Sequence, residues 1–372
     1  MDISGHKIEQ YHLIQKLGQG GMAVVYKAYD TLLERDVALK LIRSESIPEE
    51  QYERFLKRFE REAKAQAKFS HPNIVSVFDY GEENGYPYLV MEYICGGTLK
   101  DRIKRPVNFY QAIDWLLPIV DAVRYAHDRN VIHRDIKPSN ILLDVEDRPH
   151  LTDFGIAKIL ETDELTLTGI GLGVGTPEYM APEQWEGKAC EKTDQYALGV
   201  VLYEMITGQK PYTAETPIAI ALKKMSEPLP RPSNFIAGIP EELEKVLYKA
   251  LARDTQDRYE SMGKFYLALE KLKNKYHYLT QENGYSFSSQ RTPDKKYLKV
   301  GPDENETIDA FEYQSYEPSG SNRRNRRLSN HDKNNRPLLR WGKISLAIMF
   351  VLAALVSILT LMNKNIFTRK KT

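Results

Sequence analysis

The stretch from His133 to Gly155 constrains the fold more than any other part of the chain. It opens with His133-Arg134-Asp135-Ile136-Lys137-Pro138-Ser139-Asn140, and Asp153-Phe154-Gly155 begins thirteen residues after Asn140. Between these phrases, Ile141-Leu142-Leu143 and Leu151-Thr152 read as two short buried strands, which leaves the polar residues on the loops at their ends. Two acids, an amide and a lysine are thereby gathered into a small volume. A base, two metal ligands and a counter-charge for phosphate need that arrangement. A single Asp or Asn in a loop is more often a turn or cap residue. The joint spacing is what outweighs that bland reading.

The residues before this stretch are strand-rich. Tyr11–Leu17, Ala23–Tyr29 and Val37–Ile42 are short β-prone runs,. Glu49–Lys68 is charged and Ala-rich, with Phe55 and Phe59 four apart, and reads as a helix ended by His71-Pro72-Asn73,. Two further strands, Ile74–Tyr80 and Tyr86–Tyr93, flank a turn expected at Gly81–Gly85. From Tyr110 onward helical patterns dominate. Strands first and helices second imply an α+β chain, with a small β-rich lobe on a larger helical lobe over about residues 8–275. A cleft between the lobes is the expected ligand site. The length of 372 residues accommodates such a domain with a tail,. The net charge of +1 gives no reason to expect nucleic acid as a partner,. The two cysteines, Cys95 and Cys190, cannot form a disulfide framework and lack zinc spacing, so they read as reduced thiols,.

Three further motifs precede the central stretch. Leu17-Gly18-Gln19-Gly20-Gly21-Met22-Ala23-Val24-Val25 is a glycine-rich turn between two strands, where backbone amides can approach phosphates,. Val37-Ala38-Leu39-Lys40 places a lysine on an apolar strand. Leu89-Val90-Met91-Glu92-Tyr93-Ile94-Cys95-Gly96-Gly97 leads out of the strand region. Taken with the central stretch and with Gly175-Thr176-Pro177-Glu178-Tyr179-Met180-Ala181-Pro182-Glu183, these resemble the ordered motifs of eukaryotic-like, bacterial-type serine/threonine protein kinases over residues 8–275,.

The resemblance implies a bilobal kinase fold and ATP with Mg²⁺, or Mn²⁺ in its place. Asp135 would be the catalytic base and Lys137 would neutralise the transferred phosphoryl group. Asn140 and Asp153 would hold the metal. Leu17, Gly18 and Gly20 would cover the phosphates, and Lys40 would contact them, held by an acid from the following helix. Glu62 is the favoured acid, with Glu60 and Glu53 as alternatives. The backbone of Glu92 and Ile94 would bind adenine between Val25, Ala38 and Leu142, with Met91 behind it. Thr176 would contact the catalytic Asp and Lys, and the loop after it would receive a protein Ser or Thr. Glu183 would pair with Arg258, and Asp194 would hold the catalytic-loop backbone. Arg134, next to Asp135, implies control by phosphorylation of the loop after Asp153. Thr166 and Thr168 are the expected autophosphorylation sites, with Thr162 nearby, and a homodimer would allow the reaction in trans. The rival from another class is a pseudokinase scaffold that binds nucleotide without transfer. The intact Lys40, Asp135, Asn140 and Asp153 argue against it.

The rest of the chain differs in character. Residues 276–343 are polar and basic, and read as a disordered juxtamembrane linker,. Ile344–Met362 is a run of nineteen residues without a charge. As a helix it would be roughly 28 Å long, enough to span a bilayer. A basic cluster from Arg324 to Lys343 precedes it, against Lys364, Arg369, Lys370 and Lys371 after it, which favours a cytoplasmic kinase domain on a single-pass anchor,. The N-terminus lacks a basic region and an apolar run, so no cleaved signal is expected. Only residues 363–372 follow the run, so no external sensing domain is expected after it.

Overall fold

A computed structural model describes residues 3–283 except 22, 44–46, 48 and 155–175. The described residues fall within one unit, Met1–Tyr297. Its first half is a six-stranded antiparallel sheet of order β1-β2-β3-β4-β6-β5. The strands are β1 (Lys7–Ile8), β2 (Tyr11–Gln19), β3 (Ala23–Asp30), β4 (Arg35–Ile42), β5 (Val77–Glu83) and β6 (Tyr86–Glu92). Helix α1 (Glu49–Gln66) covers one face.

Side-chain alternation explains how the sheet is filled and how the site is aimed. On β4, Val37 and Leu39 join Tyr11, Leu13, Val24, Tyr26, Ala28, Tyr88 and Val90 on one face. Ala38 and Ile42 point the other way, onto Phe55, Phe59 and Ala63 of α1. Lys40, in step with Ala38 and Ile42, is carried to the α1 face.

The hairpin between β5 and β6 turns at Asn84-Gly85, not over Gly81–Gly85. Asn84 has φ 54° and Gly85 φ 80°, the left-handed pair that an Asn-Gly hairpin turn requires. Gly81 lies inside β5, paired with Tyr88. β5 also starts at Val77; Ile74, three residues earlier, forms only an isolated parallel bridge to Leu151.

The second half is helical. It comprises α2 (Leu99–Arg102), α3 (Phe109–His127), α4 (Pro182–Trp185), α5 (Glu191–Thr207), α6 (Pro217–Ser226), α7 (Glu241–Ala250) and α8 (Met262–Asn283). Helix α5 is buried almost all round, from Thr193 to Tyr203, and with α3, α7 and α8 forms the large core. Helix α8 continues past residue 275 into the tract read as linker. Tyr276 is fixed there, edge-on to Phe109 at 5.6 Å and donating to Glu242 Oε2 at 2.7 Å. No described helix is long and apolar enough to cross a membrane. The expected span at Ile344–Met362 lies outside the described residues, as do Thr162, Thr166 and Thr168.

The hairpin β7 (Ile141–Leu143) and β8 (Pro149–Leu151) carries the central stretch. Backbone bonds tie it to the strand region: Val75 N donates to Leu151 O at 2.9 Å, and Leu143 N to Gly97 O at 2.9 Å. The polar loops before β7 and after β8 are thereby brought under the sheet.

Candidate active site

Asp135, Lys137 and Asn140 form one hydrogen-bonded group. Lys137 Nζ donates to Asp135 Oδ2 at 2.7 Å. Asn140 Nδ2 donates to the Asp135 carbonyl at 2.8 Å and to its Oδ2 at 3.1 Å. With Nδ2 so occupied, Oδ1 is the Asn140 side-chain oxygen left for another partner. Across the hairpin, Lys40 Nζ donates to Asp153 Oδ1 at 2.7 Å. Burial alone would push the Asp153 carboxyl up. The charge of Lys40 and its hydrogen bond, with His133 and Lys137, overcome that effect and hold it below the usual carboxylate range,. Asp153 is therefore an anion near neutral pH. An anionic carboxylate and an amide oxygen are the hard donors a divalent cation such as Mg²⁺ takes, so the residues present fit such an ion.

His133 joins the two loops. It is fully buried, its Nε2 lies 2.9 Å from Thr152 O, and its ring packs on Phe154 at 4.6 Å between centroids. Arg134 has φ 68° and Asp153 φ 70°. Such a backbone costs about 1–3 kcal/mol per residue and persists only where the surroundings impose it. For Arg134 the constraint is visible on both sides of the residue. Its N–H donates to Asp194 Oδ1 at 2.8 Å, and its carbonyl accepts from Gln184 Nε2 at 2.8 Å. Asp194 Oδ2 also accepts from His133 N at 2.9 Å. The expected anchoring of the catalytic loop by Asp194 is therefore present. So is the Glu183–Arg258 pair, which is bidentate at 2.7 and 2.8 Å.

One expected contact is replaced by another. Glu62 accepts from Arg61 Nη2 at 3.1 Å, and Lys40 takes Asp153 in its place. The buried ammonium needs an anion. With the α1 carboxylate turned to Arg61, the acid on the loop after β8 supplies it. Gln66, one turn further along α1, donates to the Phe154 carbonyl and links the helix to that loop. Glu60, the alternative acid, pairs with Lys64 at 2.5 Å, and Glu53 with Lys57 at 4.0 Å.

The apolar residues expected around adenine do come together: Ala38 and Met91 pack with Val25, Ile94 and Leu142. Glu92 N–H donates to Ser76 O at 2.9 Å, so only its carbonyl can serve a ligand. The Ile94 amide has no hydrogen-bond partner among the described residues. An acceptor and a donor two residues apart are what an adenine edge requires. Gly18 pairs with Val25 across a bulge in β2, and Gly20 N donates to Ala23 O at 2.8 Å, closing a tight turn after exposed Leu17. Thr176 accepts from Tyr179 N at 3.0 Å through its carbonyl. Its hydroxyl makes no hydrogen bond to Asp135 or Lys137 in this structure. Gln66 and Gln184 were not legible in the sequence, because a glutamine on a helix gives no sign of the carbonyl it will meet.

The family model for the protein kinase domain matches residues 11–276. The chain is 40% identical over 255 residues to serine/threonine-protein kinase PrkC of Bacillus subtilis, covering 68% of this chain and 39% of that protein. It is 36% identical over 282 residues to serine/threonine-protein kinase PknB of Mycobacterium tuberculosis, covering 74% and 44%. A crystal structure of a mutant Mycobacterium tuberculosis PknI kinase domain superposes with TM-score 0.58 at 27% identity, covering 73% of this chain and 98% of that one. With its two lobes and the paired loops beneath the sheet, the chain belongs to the protein kinase domain family. It spans about 40% of the length of the curated relatives it matches.

Proposed function

We propose that this chain is a serine/threonine protein kinase, transferring the terminal phosphoryl group of ATP to hydroxyls on proteins. One observation carries the reading: Asp135, Lys137 and Asn140 form a bonded group at one end of a hairpin whose other end presents the Lys40–Asp153 pair. Protein kinases use ATP with a divalent metal such as Mg²⁺, which would supply positive charge to offset that of the phosphates. Asn140 Oδ1 and the Asp153 carboxylate are the oxygens that would hold the ion. Asp135 orients the acceptor hydroxyl and takes its proton as the new oxygen–phosphorus bond forms and the bond to ADP breaks. Lys137 places positive charge beside the transferred group. Lys40 has the reach to contact phosphate on the α1 face of the sheet, and Glu92 O and Ile94 N the placement to bind adenine.

Position and charge supply most of such a rate, which is why the anchoring by Asp194 belongs to the mechanism. The same reading includes autophosphorylation at Thr166 or Thr168, in trans within a homodimer. It also includes attachment to the membrane through Ile344–Met362, with the kinase domain on the cytoplasmic side. The sequence alone supports these last two features.

The test is incubation of the full chain with labelled ATP and Mg²⁺ beside Asp135→Asn and Lys40→Met. Wild type labels itself on Thr166 or Thr168 and labels an acceptor protein, and the variants label neither. Equal labelling of all three chains would sink the reading. Wild-type label at neither threonine would remove only the autophosphorylation sites. Truncation before Ile344 releases the chain from the membrane fraction; retention there would refute the anchor.

A further inference from the structure

Helix α6 carries a lysine that the phosphoryl-transfer site leaves unexplained. Lys224 is 1% exposed, and a lysine so buried requires compensation. Its direct partners are not carboxylates. The ammonium donates to three backbone carbonyls of one short segment: Pro177 O at 2.9 Å, Glu178 O at 2.6 Å and Met180 O at 2.6 Å. An ammonium has three N–H groups and no acceptor, so all three donors are satisfied. The Tyr196 ring lies 5.4 Å from Nζ, and the Arg258 guanidinium is 4.9 Å from the same ring.

The segment's side chains are held separately. Glu178 pairs with Lys210 at 2.7 Å, and the Tyr179 hydroxyl donates to Glu204. Lys224 instead sets the orientation of the backbone. Three peptide planes within four residues converge on a single atom, and that atom is fixed to α6. The segment begins directly after Thr176 and leads into the Glu183–Arg258 anchor.

We propose that Lys224 is a positioning residue that shapes the Pro177–Met180 backbone into the surface receiving the hydroxyl-bearing segment of a protein substrate. This rests on the protein-kinase reading and adds to it the residue that fixes the acceptor side of the site.

The chemistry of the amine supplies a readout that packing alone would not. Burial pushes Lys224 down to about 7, the Glu178 carboxylate opposes that effect, and Lys210 adds to it. The other charged or titratable groups around it are Tyr179 in the segment, Tyr196 and Glu204 on α5, and the Glu183–Arg258 pair. A neutral amine has two N–H groups and turns a lone pair toward the third carbonyl, so losing the proton breaks at least one contact. Below about pH 7 the segment is fully held, and above it acceptor binding weakens. Stability moves the opposite way. The unfolded lysine keeps its proton up to its ordinary value of 10.5, so this group's contribution to folding grows as pH rises from 7 toward that value.

The experiment uses the full chain with myelin basic protein as acceptor. Lys224→Met keeps the bulk and removes the donors. It is expected to raise KM for the acceptor about tenfold, the loss of about one net hydrogen bond, with KM for ATP within about twofold of wild type. Lys224→Arg restores donors and recovers part of the loss. In wild type, KM for the acceptor rises between about pH 7 and 8.5, while in Lys224→Met it stays flat. Should the Met variant fail to fold, the wild-type profile and the Arg variant still decide. A flat wild-type profile, or KM for ATP rising as much as KM for the acceptor, overturns the assignment. If wild type transfers no phosphoryl group, the kinase reading itself has failed. If wild type transfers and the Met variant keeps its acceptor KM, only the role of Lys224 has.

Discussion

Asp194 is 1% exposed, and its two oxygens meet three nitrogens: His133 N at 2.9 Å, Arg134 N at 2.8 Å and His127 Nε2 at 2.8 Å. Replacing one oxygen with an amide nitrogen turns a donor toward backbone N–H groups that need an acceptor. Asp194→Asn should therefore let Arg134 relax from its left-handed backbone and shift Asp135. A displacement on the order of 1 Å costs about 10²-fold in kcat, and KM for ATP should change little, since Lys40 and the Glu92–Ile94 segment lie elsewhere. Steady-state kinetics on the folded variant checks this, and an unchanged kcat would refute it. The family resemblance pointed to Asp135, Lys137, Asn140, Asp153 and Asp194, and the structure shows the hydrogen bonds that link Asp135 to Lys137 and Asn140 and that tie Asp194 to the backbone before Asp135. The resemblance was not enough to pair Lys40. Whether Lys40 meets Glu62 or Asp153 depends on where α1 sits against the sheet. That placement is tertiary, and the contact between Gln66 and the Phe154 carbonyl is part of it.

At the scale of elements, the sequence was legible wherever period and chemistry agreed, as in β3, β4 and α1, and misleading where glycines had different purposes. Gly81 resembles a turn residue but is paired inside β5, and the turn falls to Asn84-Gly85 with its left-handed pair. Gly85 has nothing within 4 Å of an added Cβ. Gly85→Ala should therefore cost only the backbone term, about 1–2 kcal/mol. Gly96, just after the Glu92–Ile94 segment, is a different case. A Cβ there would stand 2.4 Å from both the Leu143 and the Asp144 carbonyl oxygens. These are backbone atoms of the β7 end and cannot rotate away. Gly96→Ala must separate the segment from the catalytic hairpin, and its effect should appear in function as well as in stability. Nucleotide affinity should fall in Gly96→Ala and hold in Gly85→Ala, measured by calorimetric titration with ATP and Mg²⁺. Equal affinity in the two variants would count against a close approach at Gly96.

At the scale of the whole domain, the large lobe is braced by Glu183 and Arg258, which close a long chain separation with two short bonds. Arg258 is 2% exposed; beyond Glu183 it donates to the carbonyls of Ala252, Lys192 and Arg253. Removing one partner of a buried pair leaves the other uncompensated, at about 3–5 kcal/mol, so Arg258→Met should unfold at markedly lower temperature. The pH dependence separates loss of the pair from loss of packing. In wild type, burial pushes the Glu183 carboxyl up, but Arg258 overcomes it, and the group lies below its ordinary 4.5. A depressed carboxylate contributes stability that is present above its unfolded value and lost as pH falls through its folded one. Without Arg258, burial is the larger influence and the carboxyl rises, so stability is lost as pH increases through its new value. The two chains then respond to pH with opposite sign at this residue. The stability gap between wild type and Arg258→Met should widen as pH is raised from about 4 to 6. Denaturant unfolding across that range measures the gap, and a gap independent of pH would mean that Arg258 acts through packing and not through its charge.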